Sequence, residues 1–342
     1  TERILDYYRQ RIEERRLREE ELRLRVDLPA FTTDGKQILL LANIELPEDI
    51  ETTLNNRADG VGLFRTEFLF MNRATPPTEE EQLEAYRDAV RGLGGIPLTI
   101  RTLDLGMDKT TGSITDSGCM PAVNPALGLR AIRLCLKEPE LFMPQLRAIL
   151  RASAEGPVRL MLPMLSGIQE LKQALQMVDR TKQELFKAGL PFDPDMPVGG
   201  MIEVPAAALA ADSFARLLDF LSIGTNDLIQ YTLAVDRMDE EVNFLFDPLH
   251  PSVLFLIQRT IDAANRAGIP VSMCGEMAGE PRYARLLIGM GLRELSMQPS
   301  ALLEARELVR QSSLTTLQQR TADFFRQLEV SGESGHFDTL FD

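Results

Sequence analysis

Pro97-Leu-Thr-Ile-Arg-Thr-Leu-Asp104 is a short strand-forming run that ends on two charges, and the chain repeats that design. Apolar and β-branched residues over about four to eight positions, bounded by turn residues, read as a strand buried on both faces. Eight such runs occur, at Gln37 to Asn43, Gly60 to Phe64, Pro97 to Thr102, Val158 to Pro163, Val198 to Val204, Phe220 to Ile223, Pro270 to Cys274 and Glu294 to Met297. Between them lie stretches of helical periodicity at Glu79 to Gly92, Asn124 to Ala152, Gly167 to Ala188, Ala206 to Leu218, Ser252 to Ala267 and Glu280 to Gly289. Alternation of strand and helix predicts parallel strands joined by helical crossovers. Eight units predict an α/β fold of the (β/α)8 TIM-barrel type, ahead of a doubly wound open sheet.

Outward from that centre, residues 1–27 read as a charged connecting helix, rich in Arg, Glu and Leu and ended by Asp27 and Pro29. Acid-before-base pairs at helical spacing (Glu14/Arg18, Glu19/Arg23, Glu21/Arg25) would each add a few tenths of a kcal/mol. The barrel is assigned to residues 28–328. After Leu328 the stretch Glu329-Val-Ser-Gly-Glu-Ser-Gly-His336 predicts a linker or disordered tail over 329–342. Thr110 to Asn124, with few large apolar residues and several Gly and Ser, predicts a mobile lid. A start at Thr1 instead of Met reads as an excised piece, and the tail suggests a further module after residue 342.

Composition excludes several classes. The 342 residues carry 37 Lys+Arg against 51 Asp+Glu, a net charge of -14, which argues against a nucleic-acid binder working through a basic surface. Cys119, Cys135 and Cys274 are too few and too scattered for a disulfide framework or a zinc site, and a reducing, cytoplasmic setting is the simplest reading. The longest apolar stretches, such as Ile38 to Ile44, fall far short of the roughly 20 residues that span a bilayer.

A TIM barrel builds its active site at the carboxyl ends of its strands. Those ends carry Arg65 and Glu67, Arg101 and Asp104, Glu203, Asn226 and Asp227, and Cys274 and Glu276. The competing reading is purely structural pairing, with Glu67 near Arg65 and Asp104 near Arg101. Charge from several strands converging on one rim is costly unless an ion or substrate compensates it. Carboxylates and an amide are hard ligands suited to Mg2+, and Arg groups around them imply a small, multiply anionic substrate and phosphoryl or enolate chemistry. Cys274 reads as a proton donor, a nucleophile or a small buried apolar residue.

The strings Asp59-Gly-Val-Gly-Leu-Phe-Arg-Thr-Glu-Phe-Leu-Phe-Met71, Arg101-Thr-Leu-Asp-Leu-Gly-Met-Asp-Lys109, Asn124-Pro-Ala-Leu-Gly-Leu-Arg-Ala-Ile-Arg133, Gly200-Met-Ile-Glu-Val-Pro-Ala206, Ser222-Ile-Gly-Thr-Asn-Asp-Leu-Ile-Gln-Tyr231 and Met273-Cys-Gly-Glu-Met-Ala-Gly279 go further. From about Leu28 to Met297 the chain resembles the phosphoenolpyruvate-binding domain of enzyme I of the bacterial sugar phosphotransferase system. Pyruvate phosphate dikinase and phosphoenolpyruvate synthase share several of these motifs and form the alternative.

The resemblance implies that Glu203 and Asp227 hold Mg2+ and that Arg65, Arg101 and Arg237 bind substrate. Asn226, with the backbone at Asp227, matches a phosphate contact. Arg130 and Lys109 are implied as further contacts, and Cys274 as the acid that protonates C3 of the enolate as pyruvate forms. The phosphoryl acceptor would be a His on a separate domain, ahead of a phosphocarrier protein, and the family is expected to form homodimers. His250, in Asp-Pro-Leu-His-Pro-Ser, reads as a turn or helix-start residue, and His336 lies in the tail. Met107 and Leu129 depart from the family's usual residues.

Overall fold

A computed structural model describes residues 2–105, 124–335 and 337–341. The eight runs become eight strands: β1 (Leu39–Ile44), β2 (Gly60–Arg65), β3 (Leu98–Arg101), β4 (Val158–Leu162), β5 (Val198–Ile202), β6 (Phe220–Ile223), β7 (Val271–Met273) and β8 (Glu294–Met297). They pair in parallel in chain order and close into a barrel, with β8 returning to β1 through Leu39 opposite Glu294 and Ala42 opposite Met297. Closure leaves no free sheet edge, and helices cover the outside.

Two apolar layers hold the barrel. The large one lies between strands and helices, and a small one inside the barrel joins Leu63, Met161, Met201, Phe220 and Cys274. Gly199 makes room for it: a Cβ there would lie 2.4 Å from the Phe220 ring. Below, at the amino ends of the strands, Arg159 stacks over the same ring at 4.9 Å and bonds Thr99.

The helices differ from the sequence expectation where proline and local pairing intervene. The stretch Asn124 to Ala152 splits into Ala131–Lys137 and Pro139–Ala152, because the residue before a proline is disfavoured in helical geometry and Glu138 sits at φ -118°, ψ 76°. The stretch from Ala206 likewise divides into Pro205–Leu209 and Ala211–Ala215. On and just after the leading helix, Glu2–Arg23, Arg18 and Arg25 take partners other than the spacing suggested, while the Glu19 side chain lies outside the described residues. Arg16 bridges Glu13 and Glu20, Arg18 meets Glu21, and Arg25 reaches across to Glu307 at 3.0 Å.

Within 329–342, read from sequence as a linker or disordered tail, the described residues are partly helical. The last long helix runs Leu314–Ser331, and a short one follows at Phe337–Phe341. Phe337 and Phe341 stack at 5.2 Å and pack on Phe324, so two aromatic side chains among polar neighbours supply the burial that composition concealed. Among the described residues no helix is long and apolar enough to cross a membrane. Phe337→Ala should therefore cost about 3 kcal/mol in urea unfolding, whereas a free tail would lose nothing.

Candidate active site

At the carboxyl ends of the strands a cavity of about 320 Å3 opens, lined by Arg65, Arg101, Arg130, Glu203, Asn226, Asp227, Arg237 and Cys274. These eight were all singled out from sequence; Lys109, Met107 and Thr110 to Val123 lie outside the described residues. Glu45, Glu67 and Asp104 complete the charged lining.

Every one of the four guanidiniums is paired. Arg65 pairs with Glu45, from the end of β1, and not with Glu67. Arg101 lies between Glu67 at 3.1 Å and Asp104 at 3.0 Å. Asp104 also takes Arg130 at 2.7 Å, and Arg130 approaches Asp227 at 3.7 Å. Arg237 meets Glu276 at 3.1 Å, and Glu276 exchanges two hydrogen bonds of 3.0 Å with Asn226. The structural pairings weighed from sequence thus exist, yet they converge on one cavity where each arginine keeps further donors.

Five carboxylates face four guanidiniums in that cavity. Burial, then the charges of Asp104 and Asp227, push Glu203 well above the ordinary carboxylate range. Burial and Asp104 likewise raise Asp227, against the pull of Arg130 and Arg101. A pair driven toward protonation is short of positive charge, which is the condition a divalent cation relieves. Among the described residues no group of three His, Cys, Asp or Glu could hold a metal alone.

The backbone is bent to serve these side chains. Met164 takes a left-handed φ of 56° and donates its N–H to Glu203 at 2.6 Å. Ala131, next to Arg130, sits at φ 51°. Such residues cost on the order of 1 kcal/mol each and persist where the surroundings over-determine them. Gly275 is fixed by space: a Cβ would lie 1.8 Å from Thr225 Oγ1.

Cys274 is buried at the end of β7, and burial pushes its thiol up, with Glu203 adding to the rise while Ser222, Arg101 and Arg65 oppose it. The thiol therefore stays protonated near neutrality. Tyr231, pushed up to about 12 by burial and Asp227, donates to the Ala126 carbonyl at 2.6 Å and accepts from Arg130 at 3.5 Å. His250 caps the helix Pro251–Ala267, its Nδ1 accepting from the Ser252 N–H at 3.2 Å.

Sequence reasoning missed the residue that ties β2 to β3. Gln145, buried on helix Pro139–Ala152, donates to Thr66 Oγ1 at 3.1 Å and Tyr86 OH at 3.2 Å, and accepts from the Leu103 N–H at 2.9 Å. Thr66 in turn donates to the Arg101 carbonyl at 3.0 Å. Its signal was a lone amide in the apolar stripe Leu141, Phe142, Leu146, Ile149.

Comparison with known proteins adds three findings. Residues 19–314 match the family model described as PEP-utilising enzyme, PEP-binding domain. Proteins named phosphoenolpyruvate-protein phosphotransferase are similar: that of Cupriavidus necator is 56% identical over 89% of this chain and 52% of its own length, and that of Staphylococcus epidermidis 44% over 89% and 53%. The chain thus spans about half the length of these curated relatives. A malate synthase of Haloferax volcanii aligns over 81% of this chain and 72% of its own at 14% identity with a TM-score of 0.48, too distant to bear on function.

Gln145→Leu leaves the buried Leu103 N–H unpaired and removes a donor from Thr66 and Tyr86, and should cost on the order of 2 kcal/mol in thermal unfolding. An unchanged melting temperature would refute the tie.

Proposed function

Since the chain belongs to the PEP-utilising enzymes as their PEP-binding domain, we propose that it binds phosphoenolpyruvate with Mg2+ and passes the phosphoryl group to a histidine on a separate domain, releasing pyruvate. The observation that carries this reading is the convergence of four guanidiniums, a carboxylate pair short of cation and a protonated thiol in one cavity of about 320 Å3. The relatives named as protein phosphotransferases favour it over a dikinase or synthase. A downstream phosphocarrier protein of the sugar phosphotransferase system and a dimeric assembly belong to the same proposal.

The chemistry follows from charge. Substrate phosphate and carboxylate displace part of the carboxylate company of Arg65, Arg101, Arg130 and Arg237, whose planar forks suit both groups. Asn226 offers an amide donor beside them. Mg2+, held by Glu203 and Asp227, would supply Lewis-acid stabilisation to the charge that builds on phosphate and enolate oxygens. As the phosphorus–oxygen bond breaks and the phosphorus–nitrogen bond forms, the electron pair passes to the enolate, and the arginines stabilise it. Cys274 then gives its proton to C3, and pyruvate results. The raised thiol suits an acid that must hold its proton until the enolate appears.

Calorimetry of the chain with phosphoenolpyruvate should show binding that requires Mg2+ and weakens at least tenfold in Arg101→Ala and in Glu203→Ala. Undiminished affinity in either would sink the assignment. With the histidine domain added, Cys274→Ala should release pyruvate far more slowly than wild type, and full-rate release would remove the acid role.

Stability should carry the same signature. Because Glu203 and Asp227 are raised above their ordinary values of 4.5 and 3.8, the folded chain binds more protons than the unfolded one. With metal chelated, stability should fall as pH rises above those ordinary values toward the raised ones. Mg2+ should offset that loss, and thermal unfolding across pH with chelator or Mg2+ checks the sign.

A further inference from the structure

Cys274 has two kinds of neighbour. Leu63, Met161, Met201 and Phe220 form an apolar wall against it. On another side stand two buried serines, Ser222 and Ser272, neither of which lines the cavity. Register pairs Ser222 of β6 with Ser272 of β7, and the strand period of two brings Cys274 to the face that Ser272 occupies. The Ser272 hydroxyl donates to Ser222 Oγ at 3.1 Å, and the Ser222 hydroxyl donates to the Cys274 sulfur at 3.3 Å. The backbone around the sulfur is fixed as well. The Cys274 N–H bonds the Ile223 carbonyl at 3.1 Å, and the Cys274 carbonyl accepts from Asn43 at 3.0 Å.

Hydroxyls inside a barrel are costly unless well bonded, and alanine would fill the same space without that cost. A neutral thiol is a weak acceptor, so in the resting protein Ser222 gains little from it. A thiolate is a strong acceptor, and hydrogen bonds to ionised groups are about twice as strong as neutral ones. The serine pair is thus best satisfied when the sulfur is charged.

We propose that Ser222 is a positioning residue for the proton transfer, holding the Cys274 sulfur and donating a hydrogen bond to the thiolate left behind, with Ser272 fixing the direction of that hydroxyl. This rests on reading Cys274 as the acid. In the step the S–H bond breaks, the enolate π pair forms the new C3–H bond, and sulfur keeps the S–H electrons. The thiolate then stands in a field where Arg101 and Arg65 favour it and Glu203 and burial oppose it, and Ser222 is the side-chain donor bonded to it.

The test is the ultraviolet thiolate titration of the 342-residue chain, each protein measured against its own Cys274→Ala counterpart. Ser222→Ala should move the midpoint to higher pH, so that the thiolate fraction at a pH below both midpoints falls about tenfold. Ser222→Thr, which keeps the hydroxyl, should return it. Ser272→Ala should shift it less in the same direction and stands in if Ser222→Ala does not fold. An unmoved midpoint overturns the role of Ser222. Exchange of pyruvate methyl hydrogens in deuterated water with Mg2+ tests the reading beneath it. Exchange that persists in Cys274→Ala, or is absent from wild type, overturns the acid role whatever the titration shows. Loss in Cys274→Ala, with an about tenfold slower rate and unchanged pyruvate affinity in Ser222→Ala, supports both.

Discussion

The register of β2 on β3 sets Arg65 directly across from Arg101, two like charges on adjacent strands at the mouth of a closed barrel. Such a pair repels, and a sheet that ends this way is stable only if acids stand within reach of both. Glu45 takes Arg65, while Glu67 and Asp104 take Arg101 from two sides. Glu203 and Asp227 share that confined mouth, and burial first, then the charge of Asp104, raises their affinity for protons. Five carboxylates against four guanidiniums leave the mouth with an excess of acid. The arginines and the acids that hold them are therefore two halves of one electrostatic arrangement.

The fold was legible because strands buried on both faces leave short apolar runs that no other element needs, and because several of these end on charge. What composition hid was contingent on contact at a distance. The partner of Arg65 lies 20 residues back at Glu45, on another strand end, where nearness in sequence had favoured Glu67. Gln145 reads as an ordinary helix residue until the helix is docked. Phe337 and Phe341 sit in a polar tail, and only the position of Phe324 turns them into core. The convergence of Arg65, Arg101, Arg130, Glu203, Asn226, Asp227, Arg237 and Cys274 was readable because a parallel barrel sends every strand's carboxyl end to one face.

The net charge of -14 describes the outside of the molecule and little of its chemistry. Much of the surface acid is spent on helix pairs such as Arg16 with Glu13 and Glu20, which are exposed and contribute little. Inside the mouth the same residue types are buried, paired more than once and held by backbone in strained geometry, and there their energetics are large.

The hydrogen bond from Asn43 to the Cys274 carbonyl spans 231 residues, and β1 finds its second neighbour only in β8. During synthesis the first strand must wait, one edge open, for the last to emerge. A chain of such non-local pairings folds slowly and exposes a sticky edge meanwhile. A nascent or truncated chain lacking β7 and β8 would hold the four arginines, Ser222 and Asn43 but not the thiol. The cavity wall that needs Cys274 and Gly275 is thus completed only at the end of folding.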